Sequence, residues 1–451
     1  MKGRKPVSSK RKIVMVGGGS YNWGPRLLCD LVQTPELEGS EVVLLDIVPA
    51  AAREMKAAID RICTDNRKNF SFTATSNEEK AFKDADFVLI TISTGGLDMM
   101  RHDLEVPERY GIYQTVGDSV GPGGWSRLLR NVPVFEKMAR KIEKLAPHAV
   151  VLNYTNPMAG LTGAICAVSR LRAVGLCHGV MGTLAYLARI LGVEEKDLSV
   201  RYGGVNHFFW ILDFMAKGEA GYPLLRKKLG SSTLLKFDKA SKDPAGFSDN
   251  NHELFAEIFE HYGYLTYSAD RHTSEFFTAY LTDHEMLEKF KLKRTSVEER
   301  RKGVEESRKL ALDMRSGKEK MMPRSRETAV DIMKALVTNT PFIDVVNLPN
   351  VGQIDNLPRG AVVETLGLVD SSGFAPIGIG LMPEILRGLT EVHCQIQKMT
   401  LEAALTGNKK LALEALTLDP LCARLAPSQI RRMGLELMAA TAEWLPQFKE
   451  N

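Results

Sequence analysis

Residues 12–195 alternate short β-branched runs with helical stretches, and this alternation limits the fold more than any other feature of the chain. Lys12-Ile13-Val14-Met15-Val16 reads as a strand that ends in Gly17-Gly18-Gly19-Ser20, after which Pro25 to Leu31 reads as a helix. Glu41 to Leu45, Asp86 to Ile92, Ala149 to Leu152 and Ala173 to Leu176 are further strand-like runs, with helices at Pro133 to Leu145 and Gly160 to Val168. Strands joined through helices run parallel and are covered on both faces. The pattern therefore predicts an α/β fold with a doubly wound parallel sheet and ligands at the carboxyl ends of its strands.

The first turn suggests what such a ligand would be. Gly17, Gly18, Gly19 and Ser20 join a strand to a helix, where bare backbone can approach a pyrophosphate and the helix N-terminus favours its charge. Gly17 and Gly19 fit the Rossmann dinucleotide fingerprint, while its third glycine position holds Asn22, with Gly24 two residues later. Asp46 ends the next strand, 27 residues past Gly19, a little beyond the usual spacing for a carboxylate that grips ribose hydroxyls, and an acid there prefers NAD to NADP. The alternative for Asp46 is an ordinary strand-end turn residue. Thr94, within Ser93-Thr94-Gly95-Gly96, and Asn153, opening Asn153-Tyr154-Thr155-Asn156-Pro157, complete the expected cofactor edge.

A chain of 451 residues exceeds a single core, and the alternation stops near residue 195. The expected organisation is a Rossmann-like domain over 1–195 and a mixed α+β, mostly helical C-terminal domain over 196–451 that supplies substrate, metal and subunit contacts. Met1 to Lys12 reads as a flexible basic arm, Ser231 to Pro244 as a polar connection, Arg294 to Lys320 as a charged helix and Thr340 to Pro383 as an irregular region. From Met382 onward the chain reads as helices, with Leu386, Leu389, Val392, Ile396 and Met399 in one apolar stripe. A net charge of +4 with mixed signs gives no reason to expect nucleic acid or membrane as partners. Six cysteines without paired spacing fit reduced thiols in a cytoplasmic protein.

Gly175-Leu176-Cys177-His178-Gly179-Val180 places a thiol and an imidazole together at a strand end, and Val205-Asn206-His207-Phe208 offers a second imidazole. Thiolate plus imidazole suits a divalent transition ion. Taken singly, Cys177 reads as a packed small hydrophobe and His207 as a core histidine. What ties them to chemistry is their place on the cofactor edge. Between the strands, Val106 to Gly124 is rich in glycine and polar residues and reads as a loop able to wrap a polar ligand.

Together with Gly17 to Ser20, Asn153 to Pro157, Cys177 to Val180, Asn206-His207 and Ala269-Asp270-Arg271-His272, that loop resembles glycoside hydrolase family 4 along nearly the whole chain. Within the family it is most similar to the branch acting on non-phosphorylated α-glycosides, the α-galacturonidases above all, through Tyr113 to Gly124 and Asn153 to Met158. That branch usually carries Glu after the Cys-His pair, where this chain has Gly179. The resemblance implies hydrolysis by oxidation at sugar C3 with NAD, removal of the C2 proton, elimination, water addition and re-reduction. It implies Mn2+ or another divalent ion held by Cys177 and His207, and His178 as general acid. It also implies a base, which we assign to Asp270 over Tyr264 or Tyr267. Asp118 and Asn153 would bind sugar hydroxyls or orient the ion, with Asn206 and Arg271 at the substrate, Arg271 being suited to a uronate carboxylate. A homodimer or homotetramer is expected. α-Glucosides, α-galactosides and α-glucuronides are alternative substrates. A lactate/malate-type dehydrogenase, which shares the first domain, and an NAD-binding regulator are the alternative classes.

Overall fold

The computed structural model describes residues 10–230 and 252–449, so most of the basic arm and the polar connection lie outside the described residues. Six strands open the chain: β1 Lys12–Val16, β2 Glu41–Leu45, β3 Ser71–Thr75, β4 Phe87–Ile90, β5 Val150–Asn153 and β6 Arg172–Gly175. All pair in parallel, in the order β3-β2-β1-β4-β5-β6, so the winding reverses between β1 and β4 as in dinucleotide-binding folds. Their side chains alternate between two cores. Val14, Val43, Val88 and Val151 face Trp125, Leu128 and Phe135 of the helix Gly121–Leu145, whereas Ile13, Val42, Phe87 and Val150 face Leu28 and Met55 on the other side. Burial on both faces explains why β1, β2, β4 and β5 carry little besides Val, Ile and Leu.

Six more strands follow: β7 Leu198–Val205, β8 Phe208–Ala216, β9 Glu219–Ala220, β10 Phe342–Pro349, β11 Val362–Asp370 and β12 Gly373–Pro376. They pair antiparallel and continue the same sheet, because β10 lies beside β6 and β11 beside β7. The sheet thus runs without a break across residue 195. Helices from Glu384–Thr406 to Pro427–Ala440 pack against the first-half helices, and Leu386, Cys394 and Leu437 lie in the same core as Trp125. The other four residues of the expected stripe are only half-buried. Among the described residues, no helix is long and apolar enough to cross a membrane.

Two expectations need correction. Thr340 to Pro383 is not irregular, for it contains the whole of β10, β11 and β12. Asp344, Asn347 and Glu364 are buried within the sheet, and these polar residues interrupt the apolar pattern by which a strand is recognised. The stretch Val106 to Gly124 is not all loop either. Helix Gly96–Glu108 runs into it, and helix Gly121–Leu145 starts on Gly121-Pro122-Gly123-Gly124. A Cβ at Gly124 would come within 2.5 Å of Ser119 C, so close backbone approach, not helix propensity, decides that sequence.

Candidate active site

The glycine turn closes on its own carboxylate. Gly17 (φ 84°) and Gly18 donate to the Leu45 carbonyl, and the Gly19 amide donates to Asp46 Oδ2 at 2.8 Å while the Val48 amide holds Oδ1. A Cβ at Gly17 would stand 2.7 Å from Thr91 O, so the turn lies flat against β4. Beside it opens a cleft of about 430 Å³ lined by Gly17, Asp46, Ile47, Ser76 and Thr94. The Ser20 hydroxyl instead accepts from the Trp23 amide within the turn.

At the neighbouring strand ends a second cluster forms. Asn206 and His207 turn the β7–β8 hairpin, and His207 has φ 65°, a left-handed backbone that L-residues rarely adopt. Its Nδ1 lies 2.9 Å from Ser119 Oγ, and its ring stacks on Tyr267 at 5.4 Å and meets that of His272 at 4.2 Å. Ligand atoms of Asp118, His207 and His272 all lie within 4.8 Å of one another. Burial lowers the His207 imidazole well below its ordinary value and takes His272 down to about 4, so both rings are neutral and can offer lone pairs. Burial alone would raise the Asp118 carboxyl, but positive charge around it, that of Arg127 and Arg300 included, holds it well below the usual carboxylate range.

Cys177 is not one of that group. Burial, and then Glu364, push its thiol far up, and the Asn206 side chain lies within hydrogen-bonding reach of it. Asn206 also donates to Glu364, as does Asn347, and burial pushes the Glu364 carboxyl up to about 7. His178 caps the helix Gly179–Leu191, with Nδ1 3.0 Å from a carboxylate oxygen of the buried Glu327. At Gly179 a Cβ would press within 2.8 Å of the Tyr267 ring, so a larger residue there requires Tyr267 to move.

Three expected site residues are engaged by other groups of the protein. Asp270, expected as base, accepts the Leu254 and Phe255 amides with its two oxygens and so caps the helix Glu253–Tyr262. Asn153 is fully buried, and its amide donates to Thr155 O, Met158 O and Thr162 Oγ1, so it clamps the following turn. Arg271 is anchored by Thr115 O and the Thr295 hydroxyl. Sequence reasoning did not single out Ser119, His272, Glu275 or Glu327. His272 stood in a quoted segment. Glu275, whose Oε1 holds the Val116 and Gly117 amides at 2.8 Å and so shapes the turn before Asp118, carried no signal.

Arg127 links the two clusters, for its guanidinium bonds Ser93 Oγ and Asn156 O and acts on Asp118. The arrangement can hold a dinucleotide and a divalent ion on one sheet edge, with a polar substrate between.

The profile of the family 4 glycosyl hydrolases matches residues 12–193, and that of the family's C-terminal domain residues 202–422. The chain is 33% identical to an alpha-galacturonidase of Lachnoclostridium phytofermentans over 97% of either sequence. Its structure is similar to that of the Bacillus subtilis protein lplD (TM-score 0.86, 32% identity, 95% of this chain and 99% of that one). A 6-phospho-alpha-glucosidase from gut microorganisms, in complex with NAD and Mn2+, shares the fold at 22% identity (TM-score 0.82, 98% of this chain and 100% of that one).

Proposed function

The chain belongs to family 4 of the glycosyl hydrolases, and on that premise we propose that it hydrolyses non-phosphorylated α-glycosides, α-galacturonides foremost, with NAD and a divalent ion such as Mn2+. α-Galactosides, α-glucosides and α-glucuronides are the second choices at the same site. The observation that carries the reading is the convergence of Asp118, His207 and His272 within 4.8 Å, on the sheet edge where the cleft beside Asp46 opens.

The residues fit both groups. His272 Nδ1 is buried without a hydrogen-bond partner, and one carboxylate with two neutral imidazoles is a donor set that a divalent ion takes. Cys177 enters the proposal as a further ligand whose thiol gives up its proton on binding. Gly17, Asp46 and Thr94 shape a cleft for a dinucleotide. When bound, NAD supplies a reversible hydride acceptor for sugar C3 and the ion a Lewis acid for the neighbouring oxygens.

The chain's own residues then divide the work. Glu327 orients the His178 imidazole, which holds the proton for the leaving oxygen. Tyr267, buried and stacked on His207, takes the place of Asp270 as the base for the C2 proton. Arg127 and Arg271, whose guanidiniums are already anchored, favour a substrate carboxylate such as that of a uronide. Exposed Leu381 and Ile385 favour a homodimer or homotetramer.

Hydrolysis of nitrophenyl α-galacturonide and α-galactoside with NAD+, Mn2+ and a thiol reductant tests the reading. We expect the uronide to be the better substrate, with no net NADH formed. Faster cleavage of the galactoside overturns the sugar assignment, and activity unaffected by chelation and cofactor removal overturns the mechanism.

A further inference from the structure

The cleft beside Asp46 has a wall that the first half of the chain does not supply. Its floor comes from Val16, Gly17, Asp46 and Thr94, but Glu443, Trp444 and Pro446, near the end of the chain, line it too. That segment is firmly held. Leu445 is buried, Gln447 Nε2 donates to the Leu129 carbonyl at 2.9 Å, and the Trp444 amide donates to the Thr441 carbonyl at 3.0 Å. The indole is fixed as well, with its Nε1–H donating to Glu443 Oε1 at 2.8 Å. It stands over Gly95, where an added Cβ would come within 3.1 Å of Trp444 Nε1. Across the cleft's lining Ile47, directly after Asp46, is 91% exposed, an apolar side chain held out in solvent at the mouth of a concave site.

The position says which part of a dinucleotide would meet this wall. Asp46 and Ile47 follow β2 and Ser76 follows β3, whereas Asp118 and His272 gather at His207, in the β7–β8 turn on the far side of β5 and β6. With the sugar at the second cluster, the reacting end of the cofactor points there and its adenosine end lies in the cleft. Adenine is a flat, polarisable ring, and aromatic and branched apolar side chains are what bind such a ring.

We propose that Trp444 is a cofactor-binding residue, the aromatic wall against which the adenosine half of NAD packs, so that the last turns of the chain complete the dinucleotide site. The proposal rests on the NAD reading above. It assigns to the C-terminal segment a role in affinity for the cofactor and none in the sugar chemistry.

Calorimetric titration of the full-length protein with NAD+, AMP and nicotinamide mononucleotide tests it, with Asp46→Ala as the control. Trp444→Ala should weaken NAD+ and AMP alike by about tenfold and leave nicotinamide mononucleotide unchanged, while Trp444→Phe keeps most of the affinity. Bound NADH excited through tryptophan should lose sensitised emission in Trp444→Phe, a readout that does not depend on activity or on how well the alanine variant folds. If Trp444→Ala binds NAD+ and AMP within twofold of wild type while Asp46→Ala weakens NAD+, Trp444 is no part of the site and the NAD reading stands. Undiminished sensitised emission in Trp444→Phe overturns the proposal as well. Failure of the wild type to bind NAD+ at all overturns both.

Discussion

The Ser119 hydroxyl oxygen lies 2.9 Å from His207 Nδ1, and the same hydroxyl donates to Asp118 Oδ1 at 2.9 Å. A hydroxyl that gives its proton to a carboxylate has only lone pairs left, so Nδ1 must carry the hydrogen of the neutral ring. His207 Nε2 is then the nitrogen with a lone pair. One serine thus fixes the tautomer of one candidate ligand and the position of another.

Ser119→Ala should therefore weaken Mn2+ binding by roughly 10–100-fold without altering the fold, since it removes no ligand but frees two of them. NAD+ affinity should stay unchanged. Titration of each ligand separately checks this, and equal loss of both means that Ser119 supports the structure and not the ion.

Glu327→Gln should slow cleavage of an unactivated α-galacturonide by on the order of 100-fold, because His178 then loses the carboxylate that orients its ring toward the leaving oxygen. A nitrophenyl leaving group needs no proton, so that substrate should be nearly unaffected. Comparison of kcat for the two aglycones gives the answer, and equal loss on both sinks the assignment of His178 as acid.

Hydrolysis in D2O separates the two candidates for the base. Wild type should place deuterium at C2 of the released sugar, and Tyr267→Phe should abolish turnover and exchange together while sugar binding survives. Asp270→Asn removes one acceptor from the first turn of the helix Glu253–Tyr262 and should cost about 0.5–2 kcal/mol of stability with kcat preserved. Loss of exchange in Asp270→Asn alone returns the role to Asp270.

Asp344 is wholly buried in β10, and burial pushes its carboxyl from an ordinary value of 3.8 up to about 6. A raised folded-state value means that its contribution to stability is fully present below pH 3.8 and is lost as pH rises through 6. The uncharged Asp344→Asn does not titrate. Its melting temperature relative to wild type should rise between pH 5 and pH 8, and a constant difference removes Asp344 as the source.

Most of the parallel half was legible because the strands buried on both faces, β1, β2, β4 and β5, hold little but Val, Ile, Leu and Met, whereas the half-exposed Ser71–Thr75 of β3 carries no such run. β10 and β11 were hidden by Asp344, Asn347 and Glu364, which in isolation look like loop residues, while in the sheet Asn347 and Glu364 face each other and Asp344 is buried opposite Gly367. The site was legible to the level of segments and not of faces. Asp270 and His272 share the short helix Asp270–Thr273, and residues two apart on a helix point in nearly opposite directions. Hence Asp270 reaches back to the Leu254 amide while His272 reaches forward to His207. No periodicity in the sequence says which side will face the substrate. Glu327 had no local signal at all, since its partner His178 lies far away in sequence and the two meet only through the folded sheet.

Gly175 of β6 and Asn347 of β10 are sheet partners, and a Cβ on Gly175 would come within 3.1 Å of Asn347 Cβ. During synthesis these partners leave the ribosome about 170 residues apart, a lag on the order of 10–30 s at typical translation speeds. Throughout that time the strand leading to Cys177 has one open edge, and only its length of four residues limits pairing with a stranger. The Cys177 thiol therefore waits beside an unfinished sheet edge, and a cell short of reductant would oxidise it sooner in the newborn chain than in the finished one.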